Sequence, residues 1–373
     1  MINDGIANFE TRHRRKDGSV IDVWVSVRQR RLLGRLFGYL LIVAAGLAFL
    51  FDVDRAFAPW PIANSFTIGC VLLAAAGIAS AFALERGRDL VRELETSLVR
   101  PTAFGWGVAW WIAGGWHEIH RQLAADARPS ALIGFFILTA LGSSVGSRWL
   151  QWPLAARPIV GFLPVLAVCL AISLASVAHP FTAFGFLAWP AALATHYWLL
   201  RRHELESSVA RAVLHAGSVW LVAVVGSWEL GWHSGEIVAG GRVWSAIAWA
   251  VFPGVLLAAL LRFAPRIDWP FRAELRAYLL YGLAPIIVFL GLWSLAANAL
   301  SSGNPAPLPY VPLLNPLDVS LAGIIVAIVA WLFALEKYEL ADWLRSRLTL
   351  IAALIGALAF IDLNGTLVRT IHH

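Results

Sequence analysis

Long apolar runs recur along the whole chain, and almost all of the positive charge lies in every second gap between them. The hydrocarbon core of a bilayer takes about 20 apolar residues per helix. A backbone in lipid has to satisfy its own hydrogen bonds, so helices are the default spanning structure. A transmembrane barrel would show short alternating segments, and these runs do not alternate. The hydrophobic fraction of 59% also exceeds the roughly 45–50% of a soluble domain. The fold class expected is therefore all-α, a polytopic transmembrane helical bundle.

The runs divide into about eleven predicted spans: residues 35–51, 62–84, 101–116, 130–147, 159–178, 181–200, 212–230, 243–261, 278–300, 319–335 and 348–363. With the N-terminus cytoplasmic, the outer gaps and the tail hold only Arg55, Arg121, Arg128, Arg242 and Arg369, which leaves 24 of the 29 Lys and Arg residues inside. Basic loops hold the cytoplasmic face, so this asymmetry accounts for the net charge of +6 without nucleic acid. Cys70 and Cys169 lie inside apolar runs and read as small buried hydrophobes. Ala56-Phe57-Ala58 resembles a cleavage site, but Pro59 follows and Asp52 and Asp54 precede it, so the first run reads as an uncleaved span.

Among the nineteen tryptophans, Trp60, Trp116, Trp149, Trp152, Trp232 and Trp269 sit near span ends, where indole rings anchor to the interface. Gly34-x-x-x-Gly38 and Gly142-x-x-x-Gly146 are predicted points of close helix approach. Residues 85–98, with the opposite-charge pairs Glu85/Arg88 and Asp89/Arg92, read as a solvated cytoplasmic helix.

Residues 1–30 are a different kind of sequence from 31–373. Alternating residues 9–14 and 20–27 flank Arg15-Lys16-Asp17-Gly18-Ser19, a strong hairpin signal. FETRHRRKDGSVIDVWVSV resembles the last two strands of a PAS sensor domain, the PAC motif. The rest of such a domain would lie upstream of Met1, the only methionine, so a remnant is expected here.

Residues 305–319 (PAPLPYVPLLNPLDV) and 362–373 (DLNGTLVRTIHH) resemble signatures of a domain-of-unknown-function family, number 2339, of predicted polytopic bacterial membrane proteins. Residues 214–232 (LHAGSVWLVAVVGSWELGW) are compatible with it, and the resemblance covers roughly 31–373. Members are usually longer, which implies truncation at the C-terminal end as well. The resemblance implies a membrane location and supplies no catalytic residues.

The predicted outer face collects the unusual side chains. His117, His120, His179, His233, His372 and His373 fall there, with Glu118, Glu229, Glu236, Asp318, Asp362 and Arg369. Ionisable groups that face a bundle interior often mark function. The candidate polar site is Glu229, His233, Asn315, Asp318, Asp362 and Arg369. Glu229 reads more readily as a capping charge facing water than as a desolvated acid or base. Five prolines between Pro305 and Pro316 prevent a regular helix, so that apolar segment is expected at the interface or lining a cavity. Asn315 or Asp318 can cap the helix that follows. No metal site is assigned: His117 and His120 sit at i,i+3 and lack a third donor, unless His233 or Glu236 supplies one. His196 and His215 read as buried, hydrogen-bonded histidines.

No nucleotide loop, catalytic triad or cofactor motif appears in the sequence, and no cofactor is assigned. The expected partner is the lipid bilayer of the bacterial inner membrane, with an envelope substrate or a membrane protein beside it. Three roles stay open: an envelope protein handling a lipid-linked or glycan substrate at the outer face, a permease for a small solute, and a scaffold or sensor membrane part.

Overall fold

The computed structural model describes residues 8–14, 20–51, 60–203, 207–238 and 242–372. The expected Lys16-Asp17-Gly18-Ser19 turn, the Ala56-Phe57-Ala58 segment with Arg55, and His373 lie outside these residues. Strands β1 (Asn8–Arg14) and β2 (Val20–Ser26) pair antiparallel, with Thr11 opposite Val23. They form a sheet of two strands. Two paired strands carry no feature specific to a PAS domain, so the PAS likeness gains no support from them.

Everything else regular is helical. The helices are α1 (Val27–Phe51), α2 (Ser65–Arg86), α3 (Arg100–Gln122), α4 (Arg128–Trp149), the single turn α5 (Arg157–Val160), α6 (Phe162–Ser176), α7 (Gly185–Arg202), α8 (Ser208–Ile237), α9 (Arg242–Phe263), α10 (Leu283–Leu300), α11 (Pro316–Lys337) and α12 (Leu348–His372). Among the described residues, nine helical segments are long and apolar enough to cross a membrane. The expected count of about eleven is therefore not reached on length and composition. The two expected spans that drop out still form helices, α3 and α7. Both carry polar ends: Arg100, His117, Glu118, His120 and Arg121 in α3, and His196, Arg201 and Arg202 in α7.

The chain divides into two compact units, one of Met1–Ala124 with Gly146–Leu154, the other of Ala125–Val145 with Ala155–His373. In the first, α2 and α3 meet backbone to backbone. A Cβ on Gly77 would stand 2.7 Å from the Ala103 carbonyl oxygen, and one on Gly107 would stand 2.7 Å from that of Ala74. Close approach thus occurs here. It does not occur at Gly34, Gly38, Gly142 or Gly146, which have open space where a Cβ would be. A G-x-x-x-G spacing permits close packing, but the opposing surface decides whether it happens.

At the other end of this helix pair, Glu118 serves as a clamp. Its carboxylate accepts from the Ile62 N–H at 2.7 Å, Asn64 Nδ2 at 2.9 Å and the Thr67 hydroxyl at 2.7 Å. Asn64 in turn caps α2 through the Thr67 N–H. Residues 85–98 are not the solvated helix expected. A 3-10 turn (Arg88–Leu90) and a π turn (Glu95–Val99) break the segment, and Glu85 pairs with Arg100. Glu95 is buried and takes Arg35 Nε at 2.8 Å, Arg35 Nη2 at 3.0 Å and the Tyr39 hydroxyl at 3.2 Å. Trp152, expected at an interface, is buried and packs edge-on against Phe82 and Phe104.

In the second unit, a core of Leu257, Tyr278, Leu279, Leu283, Leu290, Ile324 and Leu335 joins α9, α10 and α11. Trp331 Nε1 donates to the Leu279 carbonyl at 2.6 Å, within the π turn (Ala277–Gly282) that precedes α10. His215 Nδ1 lies 2.7 Å from the Tyr278 hydroxyl and His196 Nε2 lies 3.3 Å from the Leu214 carbonyl oxygen; both rings are buried.

Candidate functional site

The six candidate residues fall into two separate groups of the second unit. The first is built on α8 and on the loop between α6 and α7. Glu229 and His233 are one helical turn apart, so they share a face, and His233 Nε2 lies 2.9 Å from Glu229 Oε1. Thr182 folds the incoming loop by donating from its hydroxyl to the His179 carbonyl oxygen at 2.7 Å, and Trp228 Nε1 donates to the Ala178 carbonyl oxygen at 3.0 Å. This loop lays His179 over α8, with His179 Nδ1 3.0 Å from Glu229 Oε2. The Phe181 N–H donates to the same Oε2 at 3.0 Å. Trp232 stacks on the His179 ring at 3.9 Å.

Glu229 is 8% exposed, so the expected water-facing cap is not what the chain builds. Its carboxylate is covered by the 179–184 loop and shared between two imidazoles. An apolar groove of about 350 Å³ runs from this group along α7, α8 and α9. Pro190, Leu193, Val222, Val225 and Phe252 line it, and Glu229 and His233 provide its polar residues.

The second group joins α10, α11 and α12. Asp318, in the first turn of α11, and Arg369, in the last turn of α12, are both buried and meet at 2.7 Å between Asp318 Oδ1 and Arg369 Nη2. Arg369 Nη1 donates to Asn298 Oδ1 at 3.0 Å, and the Thr366 hydroxyl lies 3.0 Å from Asp318 Oδ1. One turn deeper, Asp362 Oδ1 accepts from the Ser294 hydroxyl at 2.7 Å and from Asn298 Nδ2 at 2.5 Å. Asp318 Oδ2, Asp362 Oδ2 and Arg369 Nε are buried without a hydrogen-bond partner. Buried polar atoms are nearly always paired, so three orphans in one network are unusual.

The proline-rich segment closes over this network. Asn315 caps α11 by accepting from the Leu317 N–H at 2.9 Å, and its Nδ2 donates to the Gly303 carbonyl at 2.6 Å. Gly303 has φ +70°, and a Cβ there would stand 2.7 Å from Arg369 Cδ. Trp244 Nε1 ties the segment to α9 through the Ala306 carbonyl at 3.0 Å.

Asn315, Asp318, Asp362 and Arg369 are thus gathered in one place, while Glu229 and His233 stand apart with His179. Ser294, Asn298 and Thr366 were not candidates, because small polar residues in apolar runs give no signal of their own. His117 and His120 do not converge: the His117 ring packs on Phe66 at 4.1 Å, and His120 stacks on Trp116 with Nδ1 2.9 Å from the Trp116 carbonyl oxygen. Among the described residues, the metal-compatible group is His179, Glu229 and His233.

These features define an integral membrane protein whose helices bury charged side chains. The chain belongs to the family described as predicted membrane protein (DUF2339), whose model matches residues 19–373. The matched region contains β2, every helix and both side-chain groups. No curated protein and no solved structure matches the chain.

Proposed function

We propose that this membrane protein handles a lipid-linked envelope substrate at the outer face of the bacterial inner membrane. In this reading α3 and α7 also cross, the N-terminus is cytoplasmic, and the Glu229 and Asp318 groups both lie toward the outside. The excess of Lys and Arg in alternate gaps supports that orientation. A single-cysteine variant Ala125→Cys then reacts with a membrane-impermeant maleimide on intact cells, whereas Asp268→Cys does not. The reverse pattern rejects it.

The observation that carries the function is the apolar groove ending at Glu229 and His233. An acyl or isoprenoid tail fits a groove with such walls, and its polar head would then sit beside the histidine–carboxylate group. The test is lipid retention. Protein purified in mild detergent is analysed by native mass spectrometry, beside Leu193→Trp and Val222→Trp, which fill the groove. Wild-type protein should carry a polar lipid that both variants lose. Equal lipid content in all three proteins rejects the reading.

A second reading, a permease for a small solute, draws on the orphaned carboxylate oxygens of Asp318 and Asp362 inside the helical bundle. Buried ionisable groups of this kind often line a solute path. It requires solute flux in liposomes that Asp362→Asn abolishes.

A further inference from the structure

We propose that His179, Glu229 and His233 form a zinc site. The inference deepens the lipid-handling reading by giving the groove a cation at its polar end, but zinc binding itself does not depend on that reading.

The donor set comes first. Two imidazoles and one carboxylate are the three protein ligands of an open zinc site, with the fourth position left to water or to a substrate oxygen. The donor atoms are His179 Nδ1, His233 Nε2 and a Glu229 oxygen, and they lie within 4.8 Å of one another. A tetrahedral ion with bonds of about 2.0–2.1 Å needs donors about 3.3 Å apart. The nitrogen–oxygen separations of 2.9–3.1 Å would open by a few tenths of an ångström to admit it, and the two ring nitrogens, within 4.8 Å of each other, would settle to the same spacing. Both ring nitrogens face the carboxylate, and each ring would turn to point its lone pair at an ion held beside the carboxylate oxygen.

The surroundings fit as well. The ligands of a built site are held by neighbours that fix their orientation. Here the Phe181 N–H holds Glu229 Oε2, the Trp232 ring stacks on His179, and helical spacing sets His233 against Glu229. The carboxylate is buried, whereas the His233 side chain is 51% exposed. That combination gives a desolvated anion with an entry path for the ion. In the bland alternative, the carboxylate merely bonds two histidines to lock the 179–184 loop. That would need only one nitrogen; two imidazoles converging on one buried carboxylate also supply a cation's ligands.

The full chain, purified in detergent and stripped with a chelator, is titrated with zinc against a competing chromophoric chelator, and metal content is read by mass spectrometry. One zinc per chain is expected. His179→Ala and His233→Ala should each weaken binding by more than the ~10- to 100-fold that an outer partner contributes. Glu229→Gln can still accept from the Phe181 N–H, so it tests the ligand role while keeping that loop contact. Cobalt(II) in place of zinc should give the visible absorption of a tetrahedral ion, lost in the same variants. His117→Ala/His120→Ala should retain one zinc. The proposal is overturned if wild-type protein binds no stoichiometric zinc, or if folded His179→Ala/His233→Ala binds as the wild type does. Because lipid retention is read separately, loss of zinc binding with lipid retained leaves the groove reading standing, and the converse separates them equally.

Discussion

Arg369 and Asp318 lie 51 residues apart in sequence and 2.7 Å apart in space, with side chains 5% and 3% exposed. Removing one partner of such a pair leaves a buried charge without compensation. Arg369→Ala should therefore destabilise the protein by about 3–5 kcal/mol, read as a lowered unfolding midpoint in detergent. Asp318→Leu combined with Arg369→Met should lose less than Arg369→Ala alone. A double variant that is worse than the single would show that the pair is net stabilising.

Gly303 carries a related prediction. Its left-handed backbone costs a residue with a Cβ about 1–2 kcal/mol, and the new methyl would also press on Arg369. Gly303→Ala should lower the midpoint through both effects. In an Arg369→Ala background only the backbone cost should remain, so a smaller loss there checks the contact.

The α2–α3 contact makes a separate case. Ala at Gly107 would drive a methyl against the Ala74 carbonyl and Ile78. A loss of about 1–3 kcal/mol is expected from overpacking, whereas Gly142→Ala, with open space around it, should be neutral or better. Equal effects at the two positions would contradict the packing described.

Acid should act through Glu95. Burial alone would push its carboxyl upward. The Arg35 guanidinium, the Arg92 N–H and the Tyr39 hydroxyl outweigh that and hold it below the ordinary 4.5. A depressed carboxylate contributes stability that is fully present above its unfolded value and is lost as pH falls through the lower folded one. Wild-type protein should therefore exceed Glu95→Gln in unfolding midpoint at neutral pH. The gap should close as pH drops below about 4.5. A gap that stays constant with pH would assign the effect to packing.

Much of the helical layout was legible because apolar runs and alternating basic gaps are local signals. Asn315, Asp318, Asp362 and Arg369 were legible for the same reason: charge or proline stands out against an apolar background. Their meeting was not, since nothing in the 51 residues between Asp318 and Arg369 states that α12 lies beside α11. His179 was visible only as one of several histidines predicted to lie on the outer face. Its role depends on a loop folding back over Glu229, and no periodicity reports that. The Gly-x-x-x-Gly spacings misled because a spacing names a helix face and not its opposite number.

The link between α11 and α12 also bears on how the chain is made. A ribosome delivers Asp318 to the membrane before it delivers Arg369. In the interval the carboxylate has no counter-charge, so α11 should sit shallow or stay with the insertion machinery until α12 arrives. The two helices would then enter the lipid as a pair, and biogenesis, more than the finished fold, would be the stage most sensitive to losing either residue.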